Sequence, residues 1–189
     1  MADPKCKPTD EPNDGRNCGE WESRYPAAAW RHILLELSFL IVLLLIASGL
    51  LIAIGICLTT DRKINPVAFL GYMLDRQLLK WIAVALSGLL GGVAFDLKWL
   101  YHSVARGLWS QDRCLWRIIV PFISGIVSVF LAFMIVSGII PFIKGDSFNS
   151  LYFSLGFGFL FGYFSDSVLA ALKKFADGAF GRTDASESK

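Results

Sequence analysis

The sequence predicts an all-α protein, an integral membrane four-helix bundle with short interfacial amphipathic helices. Three observations carry that expectation. Of 189 residues, 54% are hydrophobic and 18% charged, whereas soluble domains are about a quarter charged. The mean hydropathy is +0.53. The apolar residues fall in long blocks, while residues 1–24 are almost wholly polar, the pattern of a chain that crosses a bilayer several times. Disordered, collagen-like and disulfide-scaffold classes are excluded by the same figures.

Residues 1–24 carry Pro4, Pro8, Pro12, Gly15 and Gly19 among mixed charges without apolar periodicity, which predicts a disordered cytoplasmic tail. No cleavable signal is expected, because the first apolar run follows this polar stretch and is longer than a secretory h-region. Residues 25–180 form the expected transmembrane domain. Its first span, about 33–58, contains one charged side chain, Glu36, placed near one interface. At about 1.5 Å per residue this run exceeds a hydrocarbon core of roughly 30 Å and must tilt or protrude. Pro26, followed by three alanines, opens the helix ahead of the membrane.

Residues 118–140 form a second clear span, with Pro121 expected in its first turn, where the missing N–H costs nothing. Two shorter runs, 81–95 and 151–164, cannot cross roughly 30 Å alone. Extended into flanking sequence they become spans at about 78–101 and 150–172, the latter running on through Ser165 and Asp166. Residues 181–189 read as a second disordered tail.

Four spans put both termini on one side. Thirteen Lys and Arg lie with the termini and the loop at 98–117, against five on the other side, Arg62, Lys63, Arg76, Lys80 and Lys144. The positive-inside rule then predicts cytoplasmic termini. Trp21, Trp30, Trp99, Trp109 and Trp116 flank spans on that side and Trp81 on the other, as amphipathic interface rings do.

Three segments have the apolar period and basic polar face of helices lying on the membrane surface: 66–79, begun by Asn65 and Pro66, then 97–108 and 166–180. Simple continuation of the spans is the plainer alternative. Small residues recur at four-residue steps, Gly88 to Gly92 and Ser154, Gly158, Gly162, where helix backbones approach closely because lipid supplies no hydrophobic force. Packing within one chain is the favoured use of these faces, with self-association into a homo-oligomer also expected.

The succession Leu86, Gly88 to Gly92, Trp116, Pro121, Gly125, Gly158, Gly162, Ser165 and Leu172 resembles a loosely defined group of uncharacterised small four-span bacterial inner-membrane proteins. The likeness covers roughly residues 78–172. Members share a Gly-Leu-Gly helix turn, a Trp ahead of an Arg-Pro that opens the next span, and a Gly-x-Phe-Ser near the last one. Here Val120 stands where Arg is usual before the proline. The resemblance implies a bacterial source and a four-span fold, and no chemistry.

Catalytic signatures are absent: there is no Walker or dinucleotide glycine loop, no His-Glu-x-x-His and no Gly-x-Ser-x-Gly. No enzyme, cofactor or metal site is expected. Cys6, Cys18, His102 and Cys114 could together supply zinc ligands, but each pair is spaced by eleven intervening residues, far beyond the roughly two to four of structural sites. Reduced thiols are the expectation, with Cys57 in lipid or a helix contact. The basic residues are too few for nucleic acid and suit anionic lipid headgroups instead.

Glu36, Asp96 and Asp166 all fall toward the cytoplasmic interface, which counts against a carrier with a mid-membrane ionisable group. Asp96 and Asp166 are candidate pore-mouth acids. Alternatively, Asp166 caps a helix after Phe164 and Ser165, and Asp96 pairs with Lys98 or a neighbouring helix. The expected function is that of a non-enzymatic multi-pass membrane subunit or scaffold. It would act through self-assembly and a cytoplasmic protein partner met by the N-terminal tail and the loop around Gln111 to Arg113. An oligomeric ion-permeable pore, or a membrane-perturbing effector of a bacterial immunity-type system, is the alternative.

Overall fold

The computed structural model describes residues 23, 25–60, 67–69, 71–140 and 144–179. Nearly all of the predicted 1–24 tail, the 181–189 tail, Cys6, Cys18, Trp21, Asn65 and Pro66 lie outside the described residues. Five helices, α1 (Ala27–Thr60), α2 (Arg76–Ala105), α3 (Cys114–Val136), α4 (Leu151–Tyr163) and α5 (Ser165–Ala179), are joined by a β1–β2 hairpin (Val67–Phe69, Tyr72–Leu74) and two 3₁₀ turns. Apart from that hairpin the fold is all-α. Three helical stretches, Ala27–Thr59, Arg76–Ala105 and Gln111–Val136, are long and apolar enough to cross a membrane. α4 and α5 meet that standard only as a pair bent by 86°.

α2 is central and packs on α1, α3 and α4. Toward α1 it presents Leu79, Leu86, Val93 and Leu100, and α1 answers with Ile33, Leu40, Ala47 and Ile54. Both series step by seven residues, the repeat that keeps one apolar seam facing a partner along two nearly antiparallel helices. Toward α3 and α4 the contact is of another kind. A Cβ on Gly88 would lie 2.7 Å from the Ser128 Cβ, one on Gly92 2.9 Å from the Pro121 Cα, and one on Gly158 2.7 Å from the Val84 carbonyl oxygen. On Gly162 it would overlap the Gly88 backbone itself. Small residues bring these helices to backbone contact, within one chain. At such separations serine hydroxyls reach across: Ser87 donates to the Leu155 carbonyl (2.5 Å) and Ser128 to that of Gly158 (3.1 Å). Ser154, on α4, donates to the Phe148 carbonyl (3.1 Å).

Three expectations are corrected. Residues 67–74 form a hairpin, not the start of a surface helix, because Gly71 takes the left-handed conformation (φ 82°) and pairs Phe69 with Tyr72. α2 begins only at Arg76, where Asp75 accepts from the Gln77 and Leu78 amides. Residues 97–105 continue α2, the plainer of the two readings of 97–108. Pro121 is not in a first turn, since α3 starts at Cys114, and the helix stops at Val136, short of Ile140, with Gly138 left-handed (φ 79°) just beyond. Finally, the span expected at 150–172 breaks at Phe164 (φ −100°, ψ 24°). There the buried Ser165 hydroxyl meets that of Ser124 at 2.9 Å, pinning the bend to α3.

Gly162→Leu should lower stability by about 1–3 kcal/mol, the usual cost of overpacking. Gly156→Ala, where nothing lies within 4 Å of the new Cβ, should be neutral or slightly stabilising. Thermal unfolding of the two detergent-solubilised variants checks this contrast, and equal behaviour would contradict the packing described.

Candidate functional site

The antiparallel course of the helices brings the beginning of α1, the last third of α2, the beginning of α3 and the α4–α5 break to one end. Glu36 lies on the buried stripe of α1, three residues after Ile33, and is 4% exposed. Arg117, in the first turn of α3, is 5% exposed. Its Nε donates to Glu36 Oε1 and its Nη2 to Oε2 at 3.2 Å, and Nη2 also reaches the Ser110 carbonyl at 3.3 Å. Two donors on two carboxylate oxygens give this pair the forked geometry that makes Arg–carboxylate contacts strong and directional.

The chain around the pair closes it off. Trp109, from the α2–α3 connection, donates its indole N–H to Glu36 Oε2 at 3.1 Å. Its backbone N–H donates to the Tyr25 hydroxyl at 2.9 Å, and Tyr25 in turn donates to the Ser103 carbonyl at 3.4 Å. The Tyr25 and Trp109 rings meet edge to face at 6.1 Å. Segments before α1, after α2 and within α3 are thus tied together around one carboxylate. Glu36 is sealed inside the protein.

Beside the pair lies a cavity of about 400 Å³. Asp96 and Asp166 both line it, with Arg113 and Arg117. Phe95, Trp99 and Trp116 form its aromatic wall. The two acids differ: Asp166 is exposed in the first turn of α5, while Asp96 is only 2% exposed and its Oδ2 has no hydrogen-bond partner. The expected pairing of Asp96 with Lys98 does not occur, because Lys98 turns to the Tyr163 hydroxyl at 3.2 Å. Gln111–Arg113, anticipated as a partner surface, is an exposed 3₁₀ turn at the rim.

Elsewhere, Gly88, Gly92, Ser154, Gly158 and Gly162 sit buried in the α2–α3–α4 contacts, away from this cavity. Cys57 and Cys114 are free thiols, and among the described residues no group of three or more His, Cys, Asp or Glu converges as metal ligands would. Sequence reasoning had not joined Glu36 to Arg117 or Trp109. The available signal was a lone acid inside an apolar stripe and a lone base opening the third span on the same predicted side. Comparison with protein-family models, curated proteins and solved structures finds no match to this chain.

Arg117→Met leaves a buried carboxylate without its counter-ion and should destabilise by about 3–5 kcal/mol. Replacing both partners, Glu36→Leu with Arg117→Met, should recover most of that loss. Denaturant unfolding in detergent micelles measures both, and a double variant as unstable as the single one would refute the pairing.

Proposed function

We propose that this chain is a non-enzymatic, multi-pass membrane subunit that works through assembly, with the charged end of its helices as the interaction site. One observation carries the reading. Large apolar side chains stay exposed along the whole of α1, from Leu34 and Leu35 through Val42, Leu45 and Ile46 to Ile52 and Ile56, while the buried ionisable groups gather at one end. A contiguous apolar face of that length needs lipid or another chain against it. Four crossings are reached when the bent α4–α5 pair counts as one, and the balance of Lys and Arg supports a cytoplasmic position for the charged end. That end would also be the place where a cytoplasmic protein docks, at the rim formed by Gln111–Arg113.

A second reading, an oligomeric pore, is favoured by Asp96 and Asp166 lining one cavity. The small-residue faces of α2, α3 and α4 are in backbone contact, so this reading places the conducting axis between copies.

In a cysteine-free background, Lys144→Cys should react with a membrane-impermeant maleimide applied from outside and Lys173→Cys should not. Labelling of both, or the reverse pattern, contradicts the orientation. Two differently tagged copies, co-expressed and solubilised together, should co-isolate; strictly single-tag material removes the self-assembly reading. Ion flux from reconstituted liposomes that falls in Asp96→Asn or Asp166→Asn would favour the pore over the scaffold.

A further inference from the structure

α5 is set across the helices that precede it. α2 and α4 run side by side in one direction: Lys80 donates to the Asn149 carbonyl at 3.3 Å, Ser87 to that of Leu155 at 2.5 Å, and the Phe95 ring meets the Tyr163 ring at 5.8 Å. Beyond Tyr163 the axis turns by 86° at a break of one residue, Phe164. α5 therefore lies nearly perpendicular to the direction in which α2 and α4 would cross a bilayer. α4 has 13 residues, about 20 Å at 1.5 Å each, so the turn comes before roughly 30 Å of hydrocarbon has been crossed. Its level is fixed by Ser124, which meets the Ser165 hydroxyl at 2.9 Å and lies against Gly92. Gly92 is six residues, about 9 Å, short of Lys98, the first exposed charge that α2 reaches toward this end.

The two sides of α5 match that placement. Ser165 is buried, and Val168 and Leu172 pack on the core that α3 and α4 form. Phe175 stands seven residues beyond Val168, and so on the same face, yet it is 53% exposed, and Leu169 at the edge of that face is 44% exposed. The apolar stripe thus runs on past the protein that covers its first half. Lys173 and Lys174 flank it and are exposed. Asp166 and Asp177 complete the polar side, Asp166 at the cavity of the charged end. An apolar stripe edged by lysines is the pattern of a helix sunk about 5–10 Å into the boundary between headgroups and acyl chains, with its ammonium groups reaching up to the phosphates. The depth read from Gly92 and Lys98 falls in that range. A helix held in water would leave Leu169 and Phe175 wet, and a crossing helix would carry Lys173, Lys174 and Asp177 into hydrocarbon at considerable cost.

We propose that α5 is an in-plane helix docked on the phospholipid surface of the leaflet at the charged end, with Leu169 and Phe175 among the acyl chains and Lys173 and Lys174 on the headgroup phosphates. The fourth crossing is then made by α4 without α5, and the bilayer beside it thins to meet so short a helix. The proposal rests on the membrane reading and is independent of self-assembly.

The test uses the full chain, freed of its native cysteines, in nanodiscs of phosphatidylcholine and phosphatidylglycerol. One introduced cysteine at a time carries a nitroxide, and its collisions are measured with oxygen, which gathers among acyl chains, and with a nickel chelate, which stays in water. Leu169→Cys, Ala170→Cys, Lys174→Cys and Phe175→Cys all replace exposed side chains, so the core is untouched. Labels at 169 and 175 should favour oxygen and lie at the same depth, while those at 170 and 174 should favour the nickel chelate severalfold. A span that runs through α5 would instead separate 169 from 175 by about 9 Å of depth, at 1.5 Å per residue, and a helix in water would leave all four labels open to nickel. Either result overturns the proposal. Val42→Cys, on the exposed face of α1, tells the two readings apart. Oxygen contact there with nickel contact at 169 and 175 ends the proposal alone, whereas nickel contact at 42 as well removes the membrane reading with it. A failure of tagged copies to co-isolate would leave this result untouched.

Discussion

A Cβ on Gly162 would overlap the Gly88 backbone and one on Gly88 would run into Ser128, and much of the remaining architecture follows from those two contacts. With α4 at the backbone of α2 on one side and α3 at Gly92 on another, α2 becomes a spine held from two sides. Tight backbone approach is how helices gain dispersion energy where apolar surroundings give them no reason to associate. α1 is held differently, through a seven-residue seam of larger side chains. The spine therefore has a rigid face toward α3 and α4 and a more adaptable face toward α1.

Polar groups divide along the same line. Serines within the α2–α3–α4 contacts spend their hydroxyls on carbonyls of neighbouring helices or their own, which adds directional links where the backbones are near enough to reach. The Ser124–Ser165 link does more, since it anchors the point where α4 turns into α5. The buried charges Glu36, Asp96 and Arg117 gather at one end of the molecule. There Glu36 and Arg117 fasten α1 to α3, two helices that otherwise share little contact, and Trp109 closes the space above them.

Much of this was legible in the sequence. The small-residue steps mark the residues that line the tight contacts, and the sevens of Ile33 to Ile54 and Leu79 to Leu100 are visible once α1 and α2 are set side by side. Other features were not legible, for identifiable reasons. Residues 69–74 fit a helical period and a strand equally well, as short apolar runs do, and only the left-handed Gly71 decides between them. The break at Phe164 was legible in part, since the amphipathic run of 166–180 and the cap offered by Asp166 mark a new helix there, whereas the hydrogen bond from Ser165 to a distant helix was not. The partner of Glu36 could not be chosen among many basic residues without knowing how α3 lies against α1. The burial of Asp96 follows from the convergence of three elements, which no local pattern encodes.

The Glu36–Arg117 pair also carries a consequence for how the protein is made. The two residues are 81 positions apart, so at a synthesis rate of about 5–20 residues per second the arginine emerges roughly 4 to 16 s after the acid. During that interval the first helix exists with a carboxylate on its inward stripe and no counter-ion to meet it. A nascent chain must keep that end hydrated or chaperoned until the third helix arrives, and a chain cut short before Arg117 never leaves this condition. The ion pair thus links the settling of the first helix to translation of the third.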